Sequence, residues 1–358
     1  MRSFLIPGSS IALGIYVPAL SVKKQLEKLG NHADLICLEE LYRDKESVME
    51  ETKRSFHNDF RLAKLSYRIP TRNKSALDPE AAEKFRQELT FKKYDLIISF
   101  SGFWTEFLNQ LQKECSHYAD RIALIHMDAG LSLSWKGSDR SKMKEYWLYR
   151  LEDHTVFCTL EKAKPLSKKS RRILVHGGGW GIGEYQSKIT RLNELGFPLD
   201  IIVYYPEEAD PSDTQNDYYL LNPVWKNDSD KTEYPQLLKY QSGNWTTFAD
   251  NHQINPVRSL IENDIAILSK PGGGTLSDSL ITSTPLILSE ELASYEKENG
   301  IMWEQCGFGI WFEEFLTLPE KEQALQKMQQ RLYLTAADLP VITDLLYSSV
   351  CERSDYHE

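Results

Sequence analysis

The sequence predicts an α/β protein built on parallel sheets and divided into two units. Three observations carry this. Short apolar runs (Phe4-Leu5-Ile6, Asp34 to Leu38, Tyr94 to Ser99, Arg121 to His126) alternate with stretches of helical spacing, the pattern of βαβ units whose buried strands read as solid apolar runs. The pattern stops at residues 162–172, a basic, apolar-poor stretch containing Pro165, and restarts at Ile173, as at a linker. A chain of 358 residues also exceeds one ordinary core and suits two domains of about 150–200 residues each.

Taken in order, the first unit reads as a strand at Ser3 to Ile6, a turn at Pro7 to Ser10, and a helix over Val17 to Leu29 with Leu20, Val22 and Leu26 near helical spacing. Residues 41–93 are charged and helical in tendency. A helix over 103–115 separates the third and fourth strands. Tyr146-Trp147-Leu148-Tyr149 reads as a helix face packed on a sheet. In the second unit, Ile173 to His176 is a strand, Gly177 to Gly183 a glycine loop, Glu184 to Leu195 a helix and Leu199 to Tyr204 a strand. Residues 207–250 hold many turn formers and take no assignment. Val257 to Glu262 reads as a helix, Ile265 to Leu268 as a strand, Ser269 to Gly274 as a second glycine loop, Thr275 to Ile281 as a helix, Leu286 to Leu288 as a strand and 320–334 as a helix.

Charge and cysteines exclude several function classes. Lys and Arg number 42 against 52 Asp and Glu, a net charge of −10. With no polybasic run the chain is a poor nucleic-acid binder, because phosphate neutralisation supplies most of that affinity. Residues 1–165 are net +3 and residues 166–358 net −13. Five cysteines with no CxxC pair argue against a disulfide framework and a zinc site, and for a reducing, cytoplasmic compartment. Met1-Arg2 and the uncharged run Ser3 to Val22 imitate a signal peptide, but Pro7-Gly8 breaks the continuous helix that an h-region needs. No stretch approaches the ~20 apolar residues of a membrane span.

The glycine loops carry the chemistry. A glycine loop between strand and helix presents bare backbone N–H groups at a helix N-terminus, a ready anion site. His176-Gly-Gly-Gly-Trp-Gly-Ile-Gly183 satisfies no register of G-x-G-x-x-G, and no P-loop sequence exists, so the dinucleotide and ATPase fingerprints both fail. A tight turn is the bland alternative, though four glycines in positions 177–181 weigh against it. In Lys270-Pro-Gly-Gly-Gly-Thr-Leu-Ser-Asp278, Thr275 is placed to cap the helix. Asp278, one turn on, is placed either to accept both hydroxyls of a ribose or to act as capping-box partner of Thr275. Asp210-Pro-Ser-Asp213 reads as loop, not as a metal motif. Phe103, Trp104 and Trp135 serve equally as ligand platforms or core.

Lys270 to Asp278, followed by Pro285-Leu-Ile-Leu288, Glu298-Asn299 and Cys306-Gly-Phe-Gly309, resembles the donor half of GT-B glycosyltransferases, in particular the group of the peptidoglycan N-acetylglucosaminyltransferase and the diacylglycerol galactosyltransferases. Gly14-Ile-Tyr-Val-Pro18-Ala-Leu20 and His126-Met-Asp128-Ala-Gly130 are similar, more loosely, to the acceptor half. The resemblance implies two Rossmann-like domains with parallel sheets facing across a cleft. Residues 1–165 would bind acceptor, 172–336 the nucleotide-sugar donor, and 337–358 would pack back towards the first domain. It implies that Gly178, Gly179, Trp180 and Gly181 face phosphate with Gly272, Gly273, Gly274 and Thr275, that Asp278 takes the ribose, that Asn299 touches the donor sugar, and that the backbone of Ile254 meets the nucleobase. Ser9, Ser10 and Gly14 would form the acceptor loop. The family's histidine after the first glycine, a candidate base, is replaced by Ile15. An inverting transfer needs a base within reach of the acceptor hydroxyl, and Asp128 and His126, after the end of a parallel strand, are the candidates.

The expected function is therefore a metal-independent, inverting hexosyltransferase. It would use a UDP-linked donor as substrate, with no further cofactor, and a small soluble acceptor such as a secondary-metabolite precursor. Lys270 and backbone amides would stabilise the leaving group. Two alternatives stand beside it. One is a nucleotide-sugar 2-epimerase using His176, Glu184, Glu296 and Glu298. The other is a non-catalytic partner subunit that keeps the nucleotide site.

Overall fold

The computed structural model describes residues 1–10, 12–42, 47–66, 77–223, 225, 232–249 and 254–354. The first half runs β1 (Ser3–Gly8), α1 (Leu13–Lys28), β2 (His32–Cys37), α2 (Ser47–Asn58), α3 (Phe60–Ser66), α4 (Pro79–Lys92), β3 (Leu96–Ser99), α5 (Thr105–Glu114), β4 (Ile122–His126) and β5 (Lys144–Trp147). Its five strands form one sheet in the order β2-β1-β3-β4-β5, all parallel. A small antiparallel pair, β6 (Tyr149–Arg150) and β7 (Thr155–Val156), follows.

The second half runs β8 (Ile173–Val175), α6 (Gln186–Glu194), β9 (Leu199–Val203), β10 (Asp217–Leu221), β11 (Leu237–Gln241), β12 (Asn244–Thr247), α7 (Pro256–Asn263), β13 (Ala266–Ser269), α8 (Gly273–Thr282), β14 (Leu286–Leu288), α9 (Ser294–Gln305), β15 (Gly309–Trp311), α10 (Phe312–Thr317), α11 (Lys321–Ala337) and α12 (Ile342–Ser354). Its eight-stranded sheet has the order β12-β11-β10-β9-β8-β13-β14-β15.

Solid apolar strands are buried on both faces: Phe4, Ile6, Ile97, Ile98, Leu124, Ile125, Ile173 to Val175 and Ile267 are all at or near zero exposure. Each such side chain contributes about 1.5–3 kcal/mol on burial. Inner-face residues of the first sheet (Phe4, Ile6, Ile98, Ile125) share one apolar cluster with the second half through Leu148, Tyr149, Leu160 and the α12 residues Ile342 and Leu346.

Several expectations are corrected. The second sheet is not wholly parallel: residues 207–250 supply β10, β11 and β12, and the last two pair antiparallel. Their two-residue turn, Ser242-Gly243, has φ of +49° and +86°, the geometry that suits the twist of a tight hairpin. Tyr146-Trp147 lies in edge strand β5 and Tyr149 in β6, so the stretch is not a helix face. Helix α1 begins four residues early, at Leu13, with the Ile15 and Tyr16 amides both donating to Ala12 O at 2.7 and 2.9 Å. It tolerates Pro18 in its second turn, although proline has no N–H to return to the Gly14 carbonyl.

Residues 162–172 are not a free tether. The Lys164 amide donates to Ile281 O and the Ser170 amide to Asn263 O, and Lys169 Nζ donates to Ile261 O, Glu262 O and Thr284 Oγ1. Burial lowers the Lys169 ammonium to about 8. Helix α12 returns to the first half: Thr343 Oγ1 donates to Gln25 Oε1 of α1 at 2.9 Å, and the segment before it exchanges backbone bonds with Thr159. No helix among the described residues is long and apolar enough to cross a membrane.

Candidate active site

Strand ends position the site. The carboxyl ends of β1 and β4 in one sheet, and of β8 and β13 in the other, carry the segments that meet around a cavity of about 410 Å³, where ligands bind in open α/β sheets. The first sheet contributes Gly14 and Ile15 from α1, Phe100 and Phe103 after β3, and Met127 and Asp128 after β4; Trp135 closes that wall. The second sheet contributes His176 to Trp180, Lys270, and Gly272 to Thr275.

In the first glycine loop, Gly178 and Gly181 have φ of +75° and +66°, a left-handed geometry that favours glycine. The loop is tied at three points. The Gly178 amide donates to His176 Nδ1 at 3.0 Å. The Tyr204 hydroxyl donates to Gly178 O. His57, from α2 of the first half, donates through Nδ1 to Gly181 O at 2.8 Å while its Nε2 meets the Glu208 carboxylate. Gly181 itself lies off the cavity lining.

The second loop ends in α8, whose N-cap is Gly272 and has no side-chain cap. Thr275 is therefore inside the first turn and not the cap, and its capping box with Asp278 does not form. The glycines answer first to the approach of the two halves. A Cβ on Gly273 would lie 2.5 Å from Met127 O and 2.8 Å from Asp128 Oδ1. The α8 N-terminus lines the cavity with partial positive charge, and its Gly273 amide is bonded to the Asp128 carboxylate. Between the two loops stands Lys270, its Nζ 3.8 Å from where a Cβ on either Gly178 or Gly272 would sit. It pairs with buried Glu296, whose other oxygen accepts the Leu292 amide.

Asp128 lines the cavity half-buried. It accepts from Asn299 Nδ2 at 2.9 Å. Burial, against the Asn299 bond and with Glu296 nearby, raises its carboxyl to about 6. His126 goes elsewhere. It is 1% exposed, stacks on Trp147 at 4.1 Å and binds Glu145 Oε2 at 2.7 Å; burial lowers its ring to about 3. It does not line the cavity and is set aside as a base.

Asn299 is not placed against a sugar. It is fully buried between the halves, with its Oδ1 accepting the Ala129 amide at 2.6 Å and its Nδ2 donating to Asp128 and to Pro271 O at 2.8 Å. Its replacement by Ala is expected to leave the Ala129 N–H and Pro271 C=O unpaired and cost about 2 kcal/mol, read as a lowered melting temperature; an unchanged melting temperature would show that the clamp is replaceable.

Asp278 lines the cavity, but Arg258 Nε and Nη2 both donate to its Oδ1, at 3.0 and 2.9 Å. Arg258 Nη1 reaches Glu161 Oε1 at 2.5 Å. Burial raises the Asp278 carboxyl despite Arg258. Ile254 is 54% exposed and off the lining, where Asn255 and Val257 stand instead. Ser9 and Ser10 bind the Glu39 carboxylate and do not line the cavity, whereas Gly14 does. Of the aromatic candidates, Trp104 is core, its Nε1 donating to Gly8 O at 2.9 Å, while Phe103 and Trp135 line the cavity. Glu184 and Glu298 are off the lining; the Glu298 carboxylate lies against Gly130. Asp210 and Asp213 accept from Ser212, Asn216 and Tyr218 of their own loop.

His57, Tyr204, Arg258 and the pairing of Lys270 with Glu296 carried no local signal. All four depend on residues brought together from distant segments.

No family model matches the chain. Over 107 residues it is 32% identical to a processive diacylglycerol β-glucosyltransferase of Bacillus cytotoxicus, a match spanning 30% of this chain and 27% of that protein's length. Among solved structures it is similar to the glycosyltransferase SnogD of Streptomyces nogalater (TM-score 0.54, 12% identity, 98% of this chain and 99% of the other). It is also similar to the glycosyltransferase VinC in complex with DTDP (TM-score 0.56, 10% identity, 98% and 100%). The chain has the GT-B fold.

Proposed function

We propose that the chain is a hexosyltransferase that moves a sugar from a nucleotide-diphosphate donor to a small acceptor, inverting the anomeric centre without a metal ion. The observation that carries this reading is the meeting, in one cavity, of an α8 N-terminus, a glycine loop and Lys270 on one wall with half-buried Asp128 on the other. The first wall suits a diphosphate: preorganised amides and an ammonium take up the charge that develops on the leaving group, and no metal is needed for that task. The second wall suits an acceptor. Asp128 takes the hydroxyl proton as the acceptor oxygen attacks the anomeric carbon, and the carbon–oxygen bond to the diphosphate breaks with its electron pair leaving on the nucleoside diphosphate. Phe100, Phe103, Leu133 and Trp135 on that side favour an acceptor with an apolar or aromatic body.

UDP is the expected nucleotide. Because VinC was solved with DTDP, TDP is the competitor to test. A ligand that binds only the native state raises its stability by about 2.7 kcal/mol at a hundred times its Kd. UDP, TDP or both are therefore expected to raise the melting temperature in the presence of EDTA, and no response to either would remove the reading. Sugar release from a UDP-hexose only when an acceptor is supplied separates transfer from epimerisation, and the anomeric configuration of the product reports inversion.

A further inference from the structure

The Nε2 atom of His176, at the cavity, is left unexplained by this reading. His176 is 7% exposed and lines the cavity ahead of the first glycine loop, beside Lys270. Its Nδ1 accepts the Gly178 amide at 3.0 Å, so Nδ1 carries no proton. Burial and the Lys270 charge lower the ring to about 4, so it is neutral at physiological pH and its one proton sits on Nε2. That Nε2–H has no partner among the described residues. A buried donor without an acceptor is costly, and such groups in native structures call for one.

We propose that His176 is a neutral hydrogen-bond donor to the diphosphate of the nucleotide substrate, acting through Nε2–H. The assignment rests on the nucleotide-sugar reading above. The donors beside it on this wall are the Gly179 amide, the α8 N-terminus and Lys270 Nζ, the last already paired with the Glu296 carboxylate. A diphosphate, which only accepts and has many lone pairs, satisfies them together. The same ring orients the loop through Nδ1 and contacts the ligand through Nε2, and it adds no charge beside the Lys270–Glu296 pair.

The two nitrogens can be tested separately. His176→Gln carries an amide N–H near the position of Nε2. His176→Asn keeps an acceptor near Nδ1 and has nothing at Nε2. Calorimetric titration with UDP and with TDP is expected to give His176→Gln an affinity within about threefold of wild type and His176→Asn one at least about tenfold weaker. The reverse order, equal loss in both variants or no loss in either overturns the proposal. Should neither variant fold, long-range ¹⁵N–¹H NMR on the wild-type protein with labelled histidine decides: an Nε2–H tautomer whose Nε2 signal moves on adding nucleotide supports the proposal, and an imidazolium, an Nδ1–H tautomer or an unmoved signal overturns it. Wild-type protein that binds neither UDP nor TDP overturns the nucleotide-sugar reading itself, a failure distinguishable because it precedes any substitution.

Discussion

Asp128→Asn is expected to lower the rate of transfer by about 10²–10⁴-fold, the usual contribution of a positioned general base, while nucleotide affinity stays within about threefold of wild type because no donor-loop group is removed. The substitution keeps shape and leaves an amide that can still meet Asn299. It removes only the lone pair that accepts the acceptor's proton. The pH dependence has a definite sign. Burial raises the Asp128 carboxyl to about 6, so the base is ionised above that value and protonated below it. Activity of the wild-type protein should therefore fall as pH drops through about 6, whereas the residual activity of Asp128→Asn should be flat across the same range. A variant that transfers at the wild-type rate, or that keeps the acid limb, would take the base role away from Asp128. A rate lost together with nucleotide binding would instead indicate a collapsed cleft. Asp128 meets Gly273 and Asn299 between the two halves, so nucleotide affinity has to be measured beside the rate.

The strands that were plain in the sequence are those buried on both faces: β3, β4, β8, β9, β13 and β14 are continuous apolar runs with nothing to confuse them. Strands β11 and β12 lie at one end of the sheet, β12 as its edge, and both are partly exposed and polar, as in Leu237-Leu-Lys-Tyr-Gln241. Their one strong sign was the Ser242-Gly243 turn. The donor loops were legible because glycine runs between strand and helix are local. Side-chain direction was not. His126 and Asp128 are two residues apart, yet His126 is the last residue of β4 and stacks on its register partner Trp147, whereas Asp128 lies beyond the strand end and turns to the cleft. Nothing in a linear pattern marks where a strand stops to within one residue. Asn299 shows the same limit at long range. It sits 171 positions from Asp128, and its amide closes contacts that exist only once both halves have folded.

The buried charge network at the junction of the two halves yields the largest stability effect. Arg258, with a side chain 7% exposed, bridges Glu161 and Asp278, which are 24% and 17% exposed. Glu161 also accepts the Ser21 hydroxyl of α1, so the network joins the first half, the connecting segment, α7 and α8. A buried pair is weak evidence of stabilisation as such, but removing one partner leaves the others desolvated without compensation, at about 3–5 kcal/mol. Arg258→Met, which keeps most of the apolar stem, is expected to lower the melting temperature by on the order of 5–10 °C.

The pH test follows from the same charges. In the wild-type protein the Glu161 carboxyl is lowered, burial being outweighed by Arg258 and Ser21, so its contribution is present above the unfolded carboxyl value and lost as pH falls through the folded one. In Arg258→Met both carboxyls rise, and a raised carboxyl costs stability above its unfolded value. Asp278 is already raised in the wild-type protein, so the reading is the difference: the gap in melting temperature between Arg258→Met and wild type should narrow between pH 7.5 and 5. Adding Glu161→Gln to Arg258→Met removes one of the two stranded charges and should restore stability at pH 7.5. A single variant that melts with wild type, or a double variant that melts below the single one, would show that packing and not charge holds this corner of the cleft.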